Sequence, residues 1–133
     1  MNVPVKDAIG FIGPLVLQEY VVHNRSMEDQ WVVEKNLMFV SKAGVVYIVP
    51  RGFITDLASI PKALRGLIDV NGKHRKAAVL HDYLYCMHSI ERSVADGLFL
   101  EAMAGLGVSE ATRTTMWAGV RAFGWKYFNK RSS

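Results

Sequence analysis

The hydrophobic period of this chain changes near residue 55, and that change constrains the fold more than any single motif. Before it, LVLQEYVV (15–22), QWVVEKNLMFV (30–40) and GVVYIVP (44–50) are β-branched and aromatic runs. Polar or glycine-containing turns, HNRSMED and SKAG, separate them. About three strands with short connections predict a small antiparallel sheet. From Ser59 onward the period is helical. Ser59 as N-cap and Pro61 in the first turn begin a short helix through KALRGL, and VNGKH (70–74) is a turn. A second helix is expected over roughly 75–87. SVAD (93–96) resembles a capping box and opens a third, ending near Gly105, while Ser109 caps a fourth that reaches about residue 127. Strands in one block and helices in the next predict an α+β fold, an N-terminal sheet packed against about four helices. At 133 residues the expectation is a single domain, 1–133, with strands in 1–55, helices in 56–128 and a frayed tail at 129–133.

Composition narrows the class. Half the residues are apolar and 21% are charged, an ordinary globular balance. The sole cysteine, Cys86, sits in an apolar run and reads as core; a reducing, cytoplasmic setting fits it. The apolar patch at residues 8–17 is broken by Gly10, Gly13 and Pro14, so no transmembrane segment and no signal peptide are expected. The net charge of +4 owes much to the C-terminal stretch, where Arg113, Arg121, Lys126, Lys130 and Arg131 stand against Glu110 alone. Interleaved aromatics there (Trp117, Phe123, Trp125, Tyr127, Phe128) suit either a binding surface or a core-facing stripe with a basic solvated side. The near-helical spacing of Trp117, Phe123 and Phe128 favours the stripe. Nothing supports sequence-specific nucleic-acid recognition.

The second helix poses the chemical question. Ala77, Leu80 and Leu84 share one face, Val79 and Tyr83 lie opposite, and Ala78, Tyr85 and Cys86 fill much of the rest. A helix apolar nearly all round is central, so His81 and Asp82 are expected to be sheltered. An unpaired buried carboxylate would cost several kcal/mol, which demands a cation, a metal or several donors. Adjacent residues on a helix point about 100° apart, so His81 and Asp82 each need a partner elsewhere. The turn from Asp56 to Ser59 is the leading candidate to meet one of them, and Arg92 is a candidate cation for Asp82.

GFITDLASIP, AAVLHDYLY and ERSVADGLFLEAM, in that order, resemble a small family of phage and prophage proteins known as domain of unknown function thirteen-fifty-three. The resemblance spans roughly Val49 to Phe123. Its hallmark positions fall on Thr55, Asp56, Ser59, Pro61, His81, Asp82, Tyr85, Arg92 and Asp96. It implies a phage or prophage origin and supplies no established activity. With that origin, the setting becomes the host cytoplasm or the virion, and the expected partners are other phage proteins or a second copy.

Two readings of these residues stand side by side. In the first, Asp56, His81 and Asp82 are catalytic, with Ser59, Tyr85, Arg92 and Thr55 in support. Asp56, His81, Asp82 and Asp96 would hold a divalent ion, zinc or manganese, that activates water. The protein would then be a small hydrolase of peptidoglycan, a phosphodiester or a host signalling molecule. In the second, the residues fix the fold of a virion- or tail-associated accessory protein: Asp56 and Ser59 satisfy turn donors, and Asp96 fills the N3 position of a capping box. The chain has no His-Glu-x-x-His, Cys-x-x-Cys or phosphate loop. His74 lies at the lip of the helix that carries His81, a poor match to metal-dependent phosphohydrolases. LASIP lacks the elbow that a Ser59 nucleophile would need. His23 and His88 read as exposed bystanders.

Overall fold

The computed structural model describes residues 10–22, 25–56, 60–66 and 74–130. The chain divides into two compact units, Met1–Asp56 and Leu57–Ser133. That boundary falls where the hydrophobic period changes. The first unit holds strands and the second holds helices, an α+β chain as expected.

The first unit holds two three-stranded antiparallel sheets in place of the one anticipated. Its strands are β1 (Gly10–Ile12), β2 (Leu17–Val22), β3 (Arg25–Val33), β4 (Leu37–Val40), β5 (Val46–Val49) and β6 (Ile54–Thr55). One sheet runs β1-β4-β5 and the other β2-β3-β6. The long apolar run 30–40 is split at Glu34–Asn36, so its halves enter different sheets. The stretch HNRSMED, expected as a turn, contributes its later residues to β3. Short β1 and β6 each complete a sheet.

Side-chain alternation decides which faces are buried. In the first sheet Phe11 and Tyr47 both lie opposite Phe39, and Leu37 lies opposite Val49. Leu37, Phe39 and Val49 are buried, with the Phe11 and Phe39 ring centres 4.9 Å apart. On the other face Ile12, Met38 and Ile48 form one row, and Ile12 and Ile48 are exposed. In the second sheet Trp31 and Thr55 are paired, Leu17 lies opposite Val33, and Val33 and Thr55 are buried. The β2–β3 register shifts between Glu19 and Val21, the mark of a bulge. The β4–β5 turn falls at SKAG: the Ser41 N–H donates to Val45 O, and the Val45 N–H to Ser41 Oγ at 3.2 Å.

The second unit contains α1 (Lys62–Arg65), α2 (Arg75–Met87), α3 (Arg92–Gly105), α4 (Glu110–Phe123) and α5 (Trp125–Lys130). Helix α2 has the limits expected, and from Ala77 to Asp82 every residue is buried. Packing of α2 on α3, and of α3 on α4, buries Leu80, Leu84, Phe99, Met103, Met116 and Val120. Ser109 caps α4 as anticipated, its hydroxyl accepting from the Thr112 N–H. Pro61 is the N-cap of α1; Ser59 lies outside the described residues, as do residues 70–73 of the expected turn.

Three expectations need correction. Helix α3 starts at Arg92 with Glu91 as its N-cap and no side-chain cap, so the Ser93–Asp96 capping box does not form. Asp96 is the fifth residue of the helix, beyond its first turn. The last helix breaks at Gly124 into α4 and α5. Asn129 and Lys130, expected in a frayed tail, belong to α5, and residues 131–133 lie outside the described residues.

The end of α3 shows how local chemistry stops a helix. The Gly107 N–H donates to Ala104 O and the Val108 N–H to Met103 O, with Gly107 at φ +80°. This is a Schellman arrangement, which needs a left-handed residue at that position. Gly107→Ala is expected to lower stability by roughly 1–2 kcal/mol. Urea denaturation followed by circular dichroism checks it, and an unchanged midpoint would remove this account of the helix end.

Candidate functional site

Helices α2, α3 and α4 converge on one carboxylate. Asp96 is fully buried on α3. Its Oδ1 accepts from His81 Nε2 at 2.7 Å and from the Tyr85 hydroxyl at 2.6 Å. Its Oδ2 accepts from Arg121 Nη1 at 2.7 Å and, at a longer 3.4 Å, from Arg92 Nη1. A carboxylate offers about four lone-pair sites, and here each oxygen meets two donors. His81 and Tyr85 lie four residues apart, so one face of α2 presents both. Arg92 and Asp96 repeat that spacing on α3, and Arg121 comes from the last turn of α4.

The electrostatics follow from that arrangement. Burial by itself would raise the Asp96 carboxyl. Hydrogen bonds from His81 and Tyr85, the His81 charge and the Arg121 hydrogen bond outweigh it, and the net shift is downward. Asp96 is therefore an acceptor only, and His81 Nε2 and Tyr85 Oη are donors towards it. The Tyr85 phenol is shifted up, by burial first and then by the adjacent Asp96 carboxylate, which keeps its proton in place.

Arg92 has a second task. Its guanidinium donates from Nη1 to Val120 O at 3.0 Å and to Arg121 O at 3.2 Å, and from Nη2 to Arg121 O at 3.2 Å. These carbonyls belong to the last turn of α4, whose negative end favours a cation, and Val120 O also accepts from the Gly124 N–H. Arg92 thus closes the end of α4 while the side chain of Arg121 returns to Asp96. Arg92 answers Asp96, where the sequence had offered it as a cation for Asp82.

Aromatic packing seals the cluster. The His81 ring centre lies 4.1 Å from that of Tyr85 and 4.7 Å from that of Phe99. Tyr85 meets Phe128 of α5 edge-on at 5.3 Å. His88, expected to be an exposed bystander, is half-buried: it closes α2 in the left-handed region at φ +53°, stacks on Phe128 at 3.9 Å and bonds its backbone carbonyl. Gly124, between α4 and α5, packs directly against Tyr85. A β-carbon there would sit 2.5 Å from the Tyr85 hydroxyl oxygen and against Val120 O, so only glycine admits the tyrosine.

The residues named from sequence divide as follows. His81, Tyr85, Arg92 and Asp96 come together. Asp82 is also fully buried on α2, and no buried side-chain nitrogen or oxygen among the described residues lacks a hydrogen-bond partner. Thr55 is buried in β6 and Asp56 ends the first unit, half-buried. Ser59 and His23 lie outside the described residues. His74 is the N-cap of α2 and is buried. Among the described residues, no group of three or more His, Cys, Asp or Glu is placed to hold a metal ion. No helix is long and apolar enough to cross a membrane. Cys86 is only partly buried. The sequence reading missed Arg121, Phe99 and Gly124. The one signal available was Arg121 itself, a basic residue on an apolar helix face.

The model of the family described as "Protein of unknown function (DUF1353)" matches residues 31–120, beginning within β3 and ending within α4. No curated protein and no solved structure matches the chain.

A carboxylate held below its ordinary value of 3.8 in the fold binds fewer protons there than in the unfolded chain. Its contribution is complete above that ordinary value and fades as pH falls towards the lowered one. Acid titration of stability is expected to show this loss, and Asp96→Asn to lack that part of the slope. Asp96→Ala leaves His81, Tyr85 and two guanidinium groups without their acceptor and is expected to cost about 3–5 kcal/mol. Denaturation midpoints measured against pH check both; parallel curves for wild type and Asp96→Asn would contradict this role.

Proposed function

We propose, starting from a chain that belongs to the DUF1353 family of proteins of unknown function, that it is a phage- or prophage-encoded accessory protein. Its place is in the virion or tail, or in their assembly, and its Asp/His/Arg network holds the fold. The observation that carries this reading is the saturation of Asp96: both oxygens are engaged by side chains from three helices, at zero exposure. A general base must reach the proton it removes, and His81 is fully buried with Nε2 committed to Asp96. A metal-activated water needs several ligands and an open coordination position, and the described residues form no such ligand group. The order of GFITDLASIP, AAVLHDYLY and ERSVADGLFLEAM supports the phage origin by resemblance.

The competing reading is a small metal-dependent hydrolase acting on peptidoglycan, a phosphodiester or a host signalling molecule. It would require the cluster to open so that His81 and a carboxylate could meet substrate or zinc.

His81→Gln separates the two. The accessory-protein reading expects a loss of stability of about 1–3 kcal/mol, from one buried hydrogen bond and altered ring packing. It also expects wild type to show no stoichiometric zinc or manganese by elemental analysis. A His81→Gln protein of unchanged stability that has lost bound metal or hydrolytic turnover would transfer the cluster to the hydrolase reading. For the accessory role, mass spectrometry of purified particles from a phage encoding this chain is expected to find it among the virion proteins.

A further inference from the structure

We propose that the corner between α4 and α5 docks on an anionic lipid surface. The sequence favoured an aromatic stripe turned to the core, and the structure divides that stripe. Phe128 packs on Tyr85 and His88, while Phe123 and Trp125 are 58% and 49% exposed. The two exposed rings belong to the residues on either side of Gly124, itself buried against the Tyr85 hydroxyl. The corner is therefore anchored from beneath by the Asp96 network, and its largest apolar side chains face outward.

Charge sets the chemistry of the occupant. Lys126 is exposed beside Trp125, its Nζ 5.8 Å from the ring centre. After Glu110 the sequence contains no acidic residue, while Arg113, Arg121, Lys126, Lys130 and Arg131 are all basic. An indole settles at the headgroup level, a phenyl ring reaches the acyl boundary, and a lysine keeps its ammonium among anionic headgroups while its stem covers apolar surface. A single-stranded nucleic acid would call for a groove of several cations tracking its phosphates. At this corner Arg121 is already bonded to Asp96, and further back Arg113 donates to Val108 O. Two exposed rings with one exposed lysine beside them, on a stretch whose sequence carries no acidic residue after Glu110, match a bilayer surface better.

The test uses the full chain and co-sedimentation with vesicles. One set contains equal parts phosphatidylglycerol and phosphatidylcholine, the other phosphatidylcholine alone. Wild type is expected to sediment with the anionic vesicles, to do so less at high salt, and to stay in solution with the neutral ones. The double variant Phe123→Ala, Trp125→Ala is expected to bind about tenfold more weakly or worse, with its thermal unfolding unchanged because both side chains are exposed. Lys126→Glu provides a second variant should the first fold poorly, and it is expected to weaken binding as well. The proposal is overturned if wild type ignores anionic vesicles, or if folded variants bind them as wild type does. It is equally overturned if the ring substitutions leave vesicle binding intact and instead abolish binding to an oligothymidylate or shift a dimer to monomer in gel filtration.

Discussion

One buried negative charge organises the helical unit. Removing the Asp96 carboxylate from water is costly, and the fold offsets that cost with four donors drawn from three helices. Each donor is then constrained in turn. His81 is packed by Tyr85 and Phe99, Tyr85 requires a glycine at 124, and Arg92 and Arg121 connect the start of α3 to the end of α4. Apolar packing of α2 on α3, and of α3 on α4, would be satisfied by several helix rotations. The carboxylate accepts far fewer, because a small slip leaves a charge or an imidazole unpartnered in the interior. Specificity of arrangement, more than gross stability, is what such a cluster contributes.

The same arrangement separates what was legible in the sequence from what was not. Helix α2 was read with its correct limits because Ala77 to Met87 are apolar apart from His81 and Asp82 and the flanking segments are polar. The α+β order was legible from the switch of period at residue 55, which coincides with the unit boundary at Asp56. The doubling of the sheet was not. Strands β1 and β6 have three and two residues, too few to display alternation, and they matter only through long-range pairing with β4 and β3. The division of 30–40 between two sheets likewise depends on pairing rather than on local preference.

For the cluster, the residue types were legible and the partnerships only partly so. Buried His81 and Asp82 called for partners, and Tyr85, Arg92 and Asp96 stood among the named candidates. Asp96 was assigned to a cap because SVAD matches that pattern, yet the helix begins two residues earlier than that box requires and Asp96 is buried. Arg121, twenty-five residues from Asp96, has no spacing rule that links it to the site; only helix packing brings it there. Phe123 and Trp125 are exposed at the end of α4 and the start of α5, while Gly124 between them takes the buried position against Tyr85, a placement that helical spacing alone did not assign.

Closure of the network also sets an order of events in biosynthesis. His81, Tyr85, Arg92 and Asp96 lie within a short central segment, while Arg121 and Gly124 come near the C-terminal end. A nascent chain that has released only the central helices holds an acidic group facing an imidazole and a phenol, with its strongest cationic partner still in the ribosome. The helical half therefore gains its final cohesion only once α4 has followed the central helices out of the ribosome, and a chain cut before Arg121 would leave Asp96 without its nearest guanidinium.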